Sequence, residues 1–307
     1  MQPQSLKSAN HSLIGSLMVL VAAVALSSKA IIVKLAYVYA VDASTLIALR
    51  MAFSAPFFIG LALWAHISAA TLKISKYDGW MLALFGALGG YGPMLLDFAG
   101  LQYVTAGLER VILFLYPAIV IFFSAILFKK HIGKREWFAL VITYVGVALA
   151  VGHELSLTKS GSADTLLGAG LVFASAVLYA AYLVYSGWAI PRIGSTSFTA
   201  YTMLAAALAS GVHYASTSHN ISVWHLPMQV YWLSLLMAVV ATVLPAILLN
   251  AGIHRIGSNK SSLVSSIGPV STILLAYVFL GEHITWLQLG GTGLVLIGVL
   301  TISMAKK

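Results

Sequence analysis

Long apolar segments make up most of the chain, and only short polar stretches separate them. An α-helix needs roughly 20 residues to cross the hydrocarbon layer of a bilayer. Segments near that length predict ten membrane-spanning helices, at about 13–37, 44–66, 79–100, 104–128, 135–152, 165–187, 196–216, 229–251, 259–280 and 284–304. Because the connections are short, consecutive helices should be antiparallel neighbours. The pattern predicts an all-α integral membrane protein that crosses the bilayer many times.

The second half of the chain repeats the pattern of the first. Residues 96–104 and 248–256 align at a shift of 152 positions, which also places Pro93 on Pro245 and Pro117 on Pro269. A duplicated unit with an odd number of spans lies in the bilayer once in each orientation, as in many transporters. We therefore predict ten transmembrane helices arranged as two inverted five-helix repeats. The predicted parts are an N-terminal segment at 1–12, repeats at 13–152 and 165–304, a linker at 153–164 and a tail at 305–307.

Lysine and arginine are unequally distributed between the predicted loops. If the N-terminus is cytoplasmic, the inner loops carry nearly all of the loop cations, and the outer loops carry only Lys159. The positive-inside rule then places both termini in the cytoplasm and the linker at 153–164 outside.

The composition excludes several classes of protein. The chain is 60% hydrophobic and 8% charged, whereas soluble domains carry roughly 25% charged residues. It has no cysteine, so disulfides and thiolate metal sites are excluded. The net charge of +9 could suggest a nucleic-acid partner, but the basic residues are scattered singly between apolar segments. We expect membrane lipids and a small-molecule substrate as partners, and neither nucleic acid nor a metal or other cofactor.

Four of the prolines within predicted spans occupy matching places in the two halves: Pro93, Pro117, Pro245 and Pro269. Proline removes a backbone hydrogen bond and bends a helix. Repeated bends suit helices that rock about hinges, but ten packed helices could also need them as static kinks. The sequence leaves both interpretations open.

Away from the span ends, the predicted spans hold six charged residues, all of them in the outer half of the first repeat: Lys29, Lys34, Arg50, Asp97, Glu109 and Arg110. A charge at bilayer depth is expensive and usually functional. Four cations against two acids predict a positively charged vestibule or gate that attracts a carboxylate or phosphate. Lys29 and Arg50 lie nearest the midplane and are the best candidates to bind an anionic group. Asp97 and Glu109 could bind a substrate amine or carry a coupled proton.

These charges also have structural explanations. Lys34 could reach the outer surface by snorkelling, and Glu109 and Arg110 could simply pair with Asp97. Arg50 could tie helices together at the outer rim. Four polar residues at similar depth complete the candidate cavity: Tyr91, Tyr182, Ser28 and Ser265. Tyr182 shares a helix face with Tyr179 and Tyr185 because they recur every three residues, a pattern that packing alone also explains.

Several short motifs resemble one known family. Residues 99–108 with 115–117, and 267–269 with 279–284, are similar to equivalent junctions in the two repeats of EamA-type carriers of the drug/metabolite transporter superfamily. Residues 32–35 and 46–51 resemble the end of its first span and the start of its second. Two departures are Lys129 to His131, where the family often has Gly-Glu, and Asp42, where a proline often precedes the second span.

The resemblance implies a ten-helix carrier of a bacterial inner membrane, either monomeric or homodimeric. We predict transport of a small metabolite, such as an amino acid, as efflux by alternating access, with proton coupling left open. The alternative is exchange of anionic solutes of the sugar-phosphate or nucleotide-sugar type, which some relatives perform. A channel or a membrane enzyme is less favoured, because the repeat suits alternating access and no histidine pairs with an acid within a span.

Overall fold

The computed structural model describes residues 3–67, 75–129, 131–157, 162–217, 223–265 and 267–304. Over these ranges every regular element is a helix, so the predicted all-α class is confirmed. The α-helices are α1 (Pro3–Tyr37), α2 (Ala43–Ile67), α3 (Lys76–Phe85), α4 (Gly92–Gly100), α5 (Ala106–Leu113), α6 (Tyr116–Phe128), α7 (Lys134–Leu157), α8 (Ser162–Ile193), α9 (Ser195–Ser216), α10 (Met228–Ala238), α11 (Leu244–Ser265), α12 (Gly268–Leu280) and α13 (Trp286–Met304). Two π-helical segments connect α3 to α4 (Gly86–Tyr91) and α10 to α11 (Val239–Val243), and a 3₁₀ turn covers Val223–His225.

The described residues contain seven helical segments that are long and apolar enough to cross a membrane. They correspond to the first six predicted spans and to the eighth. Of the remaining predicted spans, 196–216 forms α9, whereas α12 and α13 are shorter apolar helices. The protein is thus a multi-pass membrane protein.

Helices reach into segments that we predicted to be outside the bilayer. Helix α1 begins at Pro3, within the predicted N-terminal segment. Helices α7 and α8 take up most of the predicted linker, because they extend to Leu157 and from Ser162 respectively. The predicted tail at 305–307 lies outside the described residues.

Helical structure continues through the predicted connection at 252–258, which lies inside α11. Gly252 lies against Gly15 and Val19 of α1, and Ile256 lies against Gly15. Over these residues the chain therefore runs towards the start of α1. Ser27, much further along α1, donates a hydrogen bond of 2.9 Å to the carbonyl of Gly268, so the chain must turn back between Ile256 and Gly268.

Structural irregularities recur at the shift of 152 positions. The π-helical segments at 86–91 and 239–243 each end two residues before a proline, Pro93 or Pro245. Pro117 and Pro269 occupy the first turns of α6 and α12, which follow breaks in the helical path. Proline lacks an N–H and clashes with the preceding turn, so both locations release the strain it would cause in a regular helix.

The ends of α6 and α12 show the repeat most clearly. Each helix ends in a residue of left-handed conformation, Lys129 with φ of 51° and Gly281 with φ of 68°. Glycine adopts this conformation without a steric penalty, whereas the same conformation in lysine costs roughly 1 kcal/mol or more of conformational free energy. The shape of the turn is therefore kept in the first half even though the residue that favours it is absent.

The two halves are interleaved. Helix α1 packs against α10, α11 and α12 of the second half, and α8 packs against α4, α5 and α6 of the first. Close backbone contacts form at Gly252 with Val19 and at Gly100 with Val172, where a Cβ atom would collide with the neighbouring helix. This exchange of α1 and α8 brings the interrupted helices together at the centre of the molecule.

Candidate functional site

A central cavity of about 460 Å³ lies where the interrupted helices meet. Its wall includes Gly89 and Ala241 from the two π segments, and Ser265 from α11. Four charged side chains line it: Lys29, Arg50, Asp97 and Arg110. Most of the remaining wall is apolar or aromatic, as is usual for sites that bind small molecules. This cavity is the candidate site for a solute.

Lys29 of α1 lies between two buried carboxylates. Its Nζ is 2.5 Å from Oδ2 of Asp97 on α4 and 3.2 Å from Oε1 of Glu109 on α5. The lysine side chain is 16% exposed, and those of Asp97 and Glu109 are 4% and 0% exposed. The second oxygen of each carboxylate is also buried and has no hydrogen-bond partner among the described residues. This cluster of one cation and two acids therefore keeps unused acceptor capacity.

Arg50 of α2 is buried beside the cavity without an ion pair among the described residues. Its Nε donates a hydrogen bond of 3.0 Å to Oγ1 of Thr242, in the second π segment, and its guanidinium carbon lies 5.7 Å from the centre of the Phe98 ring. One terminal nitrogen is buried with no hydrogen-bond partner in the described part of the chain. Arg50 thus joins the two halves and retains a donor for a ligand.

Arg110 follows Glu109 in α5 but, unlike Glu109, lines the cavity. Its guanidinium carbon lies 5.2 Å from the centre of the Phe114 ring, within the range of a cation–π contact. Among the described residues it has no ion pair, and its buried Nε has no hydrogen-bond partner. The pair with Asp97 that the sequence suggested is therefore not formed. Arg110 presents a positive charge to the cavity instead.

Tyrosines form one wall of the cavity. Tyr116 of α6 lies edge-on to Tyr179 of α8, with ring centres 5.2 Å apart, and Tyr179 stacks on Tyr182 at 6.2 Å. The Tyr182 hydroxyl lies 3.2 Å from Oγ1 of Thr202. Tyr185, on the same helix face, packs instead against Phe85 outside the cavity wall.

Besides Glu109, three candidate residues lie away from the cavity wall. Lys34 lines a separate cavity of about 420 Å³ with Tyr37, Asp42 and Gln102. The Ser28 hydroxyl donates to the carbonyl of Ala25 in its own helix, at 2.7 Å. The Tyr91 hydroxyl is hydrogen-bonded to Nδ1 of His213, so this tyrosine joins the first π segment to α9.

Sequence reasoning missed Glu282, because it lies in a short connection where a solvated charge is the usual expectation. Its carboxylate accepts hydrogen bonds from the backbone N–H groups of Ala106, at 2.9 Å, and Gly107, at 3.3 Å. The first turn of a helix has unpaired N–H groups and favours negative charge. Glu282 of the second half thus holds the start of α5, the eight-residue helix that carries Glu109 and Arg110. Its place in the motif at 279–284 was the only signal in the sequence.

Thr242 was also missed, because a single threonine in an apolar segment has no distinctive pattern. The described residues contain no group of three or more His, Cys, Asp or Glu side chains that could hold a metal ion.

Comparison with known proteins gives consistent relatives. An uncharacterized transporter of Bacillus subtilis (strain 168), YcbK, is 32% identical over 284 residues, which cover 91% of this chain and 89% of YcbK. A second from the same organism, YyaM, is 29% identical over 72% of each chain. A probable terminal-alkyne amino-acid exporter of Streptantibioticus cattleyicolor is 41% identical, but over only 59 residues, 19% of this chain and 20% of the exporter.

A solved structure shows the same fold. It is described only as the crystal structure of a protein, and it matches with a TM-score of 0.62 at 18% identity, covering 95% of this chain and 96% of its own. Residues 13–152 and 166–304 each match the family described as the EamA-like transporter family. Together with the relatives, these two matches show that the chain belongs to the EamA-like transporter family.

Proposed function

We propose that the protein transports an amino acid or a similar small organic solute that carries a carboxylate. The observation that carries this proposal is the pair of arginines at the cavity, Arg50 and Arg110, which lack ion pairs among the described residues. Guanidinium groups bind carboxylates through strong, charge-assisted hydrogen bonds. Because Lys29 is already bound to two carboxylates, these arginines replace Lys29 as the main ligands of the anionic group.

The same cavity also has an acidic group, Asp97, that can bind an ammonium group. Asp97 lines the cavity and keeps one buried oxygen without a hydrogen-bond partner among the described residues. An amino acid carries its ammonium and carboxylate groups on one carbon, so a site with both a carboxylate and guanidiniums matches it. The tyrosine wall would contact the side chain of such a solute. The relative described as a probable amino-acid exporter adds support over a short stretch only.

The transport cycle is alternating access in the direction of efflux. The carrier consists of ten transmembrane helices in two inverted repeats. It lies in a bacterial inner membrane, with both termini in the cytoplasm. Matching element bounds and interruptions in the two halves support this arrangement, as does the turn of the chain between Ile256 and Gly268. The four prolines adjoin those interruptions and are the proposed hinges. Asp97 and Glu109 are the proposed carriers of a coupled proton.

Exchange of anionic solutes is the second candidate, because two arginines without ion pairs could equally bind a phosphate. The two candidates differ in the use of Asp97. A zwitterion needs its free oxygen, whereas a sugar phosphate or nucleotide sugar would be repelled by it.

Reconstituted protein tests the proposal. Proteoliposomes loaded with one compound at a time are assayed for uptake of the same labelled compound, with amino acids, sugar phosphates and nucleotide sugars compared. We expect trans-stimulated, saturable transport of amino acids, at a rate that Arg50→Gln and Arg110→Gln strongly reduce. Stimulation by sugar phosphates alone would contradict the proposal and support the second candidate. A steady current without saturation would instead indicate a channel.

A further inference from the structure

We propose that Lys29 is a tethered substitute for the ammonium group of the substrate, which binds Asp97 whenever the cavity is empty. This inference rests on the proposed function, and it assigns a step of the cycle to the cluster of Lys29, Asp97 and Glu109. The chemical basis is direct. The side chain of lysine ends in a primary ammonium, the same group that an amino acid carries on its α-carbon.

The geometry places this ammonium where a substrate would need its own. Lys29 and Asp97 both line the cavity, and Nζ lies 2.5 Å from Oδ2 of Asp97. The other oxygen, Oδ1, is buried without a hydrogen-bond partner among the described residues. A substrate ammonium that enters the cavity can bind Asp97 through this free oxygen and compete with Lys29.

Glu109 can bind the Lys29 ammonium when Lys29 leaves Asp97. It does not line the cavity, and its Oε1 already lies 3.2 Å from Nζ. When a substrate ammonium binds Asp97, Lys29 can remain bound to Glu109 alone. Each carboxylate then has a cation in the loaded carrier, and the two share Lys29 in the empty one.

A purely structural role explains the cluster less well. The equivalent positions in the second half are Leu249 for Asp97 and Ser261 for Glu109, so the same scaffold is built there without these charges. A buried ion pair is often no more stabilising than well-packed apolar residues. The charges therefore have a cost that folding does not require, which is typical of functional residues inside a membrane.

The consequence concerns the return of the empty carrier. Without Lys29, the empty carrier would hold two buried carboxylates with no partner cation in the cluster. The rate at which the empty carrier returns to its other orientation would therefore be low. Exchange of one substrate for another avoids this step, because a substrate ammonium is always present. Lys29 should thus be needed for net transport and much less for exchange.

Lys29→Met in full-length protein in proteoliposomes tests this division. Net efflux into substrate-free buffer is compared with exchange against the same amino acid on the far side. We expect net efflux to fall about tenfold or more, since a buried uncompensated charge costs more than the 1.4 kcal/mol that one decade requires, while exchange changes less than about threefold. Lys29→Arg, which keeps a cation, is the matched control and should retain net efflux.

Two results would overturn the inference. One is equal loss of net efflux and exchange in Lys29→Met protein that elutes as a single folded species, and the other is unchanged net efflux. If that variant does not fold, Lys29→Gln is used, with the same expected division between the two rates. Added methylammonium should restore net efflux in the variant and tetramethylammonium should not; failure of methylammonium also counts against the inference. If wild-type protein transports no amino acid, the proposed function itself fails instead.

Discussion

The two halves of the molecule have the same architecture around the central cavity, but the charges that line it come from the first half. These are Lys29, Arg50, Asp97 and Arg110, with Glu109 behind them, whereas Asp97 and Glu109 correspond to Leu249 and Ser261 in the second half. Both halves have a π segment before a proline, a helix break before a second proline and a left-handed residue that ends the following helix. The scaffold therefore does not depend on the charges, and a difference confined to one half is best explained by the solute.

Neutralising the cluster of Lys29, Asp97 and Glu109 should have the largest effect. In the variant Lys29→Met, Asp97→Leu, Glu109→Ser, we expect folding to be retained, because two of the three charges are replaced by apolar residues and such replacements of buried ion pairs are often neutral or stabilising by about 1–4 kcal/mol. Transport should be lost, since no carboxylate remains in the cluster for the substrate ammonium. Thermal unfolding in detergent and counterflow are the two measurements. Retained transport would show that this cluster is not part of the binding site.

Removing one charge from the cavity should have the next largest effect. Arg110→Gln deletes a guanidinium that lies against the Phe114 ring and has no ion pair among the described residues. A hydrogen bond to a charged group contributes about 1.5–3 kcal/mol. The ratio of the maximal transport rate to the half-saturating concentration should therefore fall roughly 10- to 100-fold. Arg192→Gln is the control, because Arg192 forms a half-exposed ion pair with Asp78 away from the cavity. Equal effects of the two substitutions would remove Arg110 from the site.

Weakening the contact between the halves should have a moderate effect. Glu282→Gln keeps the shape of the side chain but removes the negative charge at the start of α5. The loss of a helix cap costs about 0.5–2 kcal/mol, so we expect a lower unfolding temperature and a several-fold lower transport rate.

Glu136→Gln is its matched control, because the Glu136 carboxylate also accepts a hydrogen bond from a backbone N–H, that of Gly133 at 2.7 Å, but at the start of its own helix, α7, and on an exposed surface. Glu136→Gln should lower the transport rate less than Glu282→Gln does. A greater loss of transport for Glu136→Gln than for Glu282→Gln would show that the contact between the halves does not position α5.

The smallest predicted change concerns the orientation of Arg50. Thr242→Val removes the hydroxyl that accepts from its Nε while keeping the volume of the side chain. A neutral hydrogen-bond partner contributes about 1 kcal/mol, so the half-saturating substrate concentration should rise roughly fivefold with little change in maximal rate. Thr242→Ser should restore it. Thr301 donates its hydroxyl to its own helix on an exposed face, so Thr301→Val should have no effect. A similar rise in the half-saturating concentration for Thr301→Val would contradict the role of Thr242.

The sequence predicted that charged residues of the first half would meet at one place, but it did not predict their partners. Hydropathy predicts a similar depth for Lys29, Arg50, Asp97 and Arg110, and these four residues line one cavity. Which charges meet depends on the rotation and neighbours of each helix. The interleaving of α1 and α8 decides this, and it pairs Lys29 with Asp97 in place of Arg110.

Connections were the least predictable part of the chain. Glu282 acquires its role only because the fold brings its loop to the start of α5, 176 residues earlier in the chain. The predicted connection at 252–258 contains Gly252 and Gly257, yet it lies inside α11. In contrast, the four prolines at matching places in the two halves do adjoin interruptions, because proline affects its own backbone directly, although Pro56 lies inside the uninterrupted α2.

The exchange of α1 and α8 between the halves also sets the order in which the protein can be assembled. Helix α1 leaves the ribosome first, but its neighbours α10, α11 and α12 are among the last to be made. Until then it must reside in lipid or against temporary neighbours, although Lys29 can already find Asp97 and Glu109 once those residues are inserted. Neither half synthesised alone could complete its own packing, so separate expression of the halves should succeed only when both are present in the same membrane.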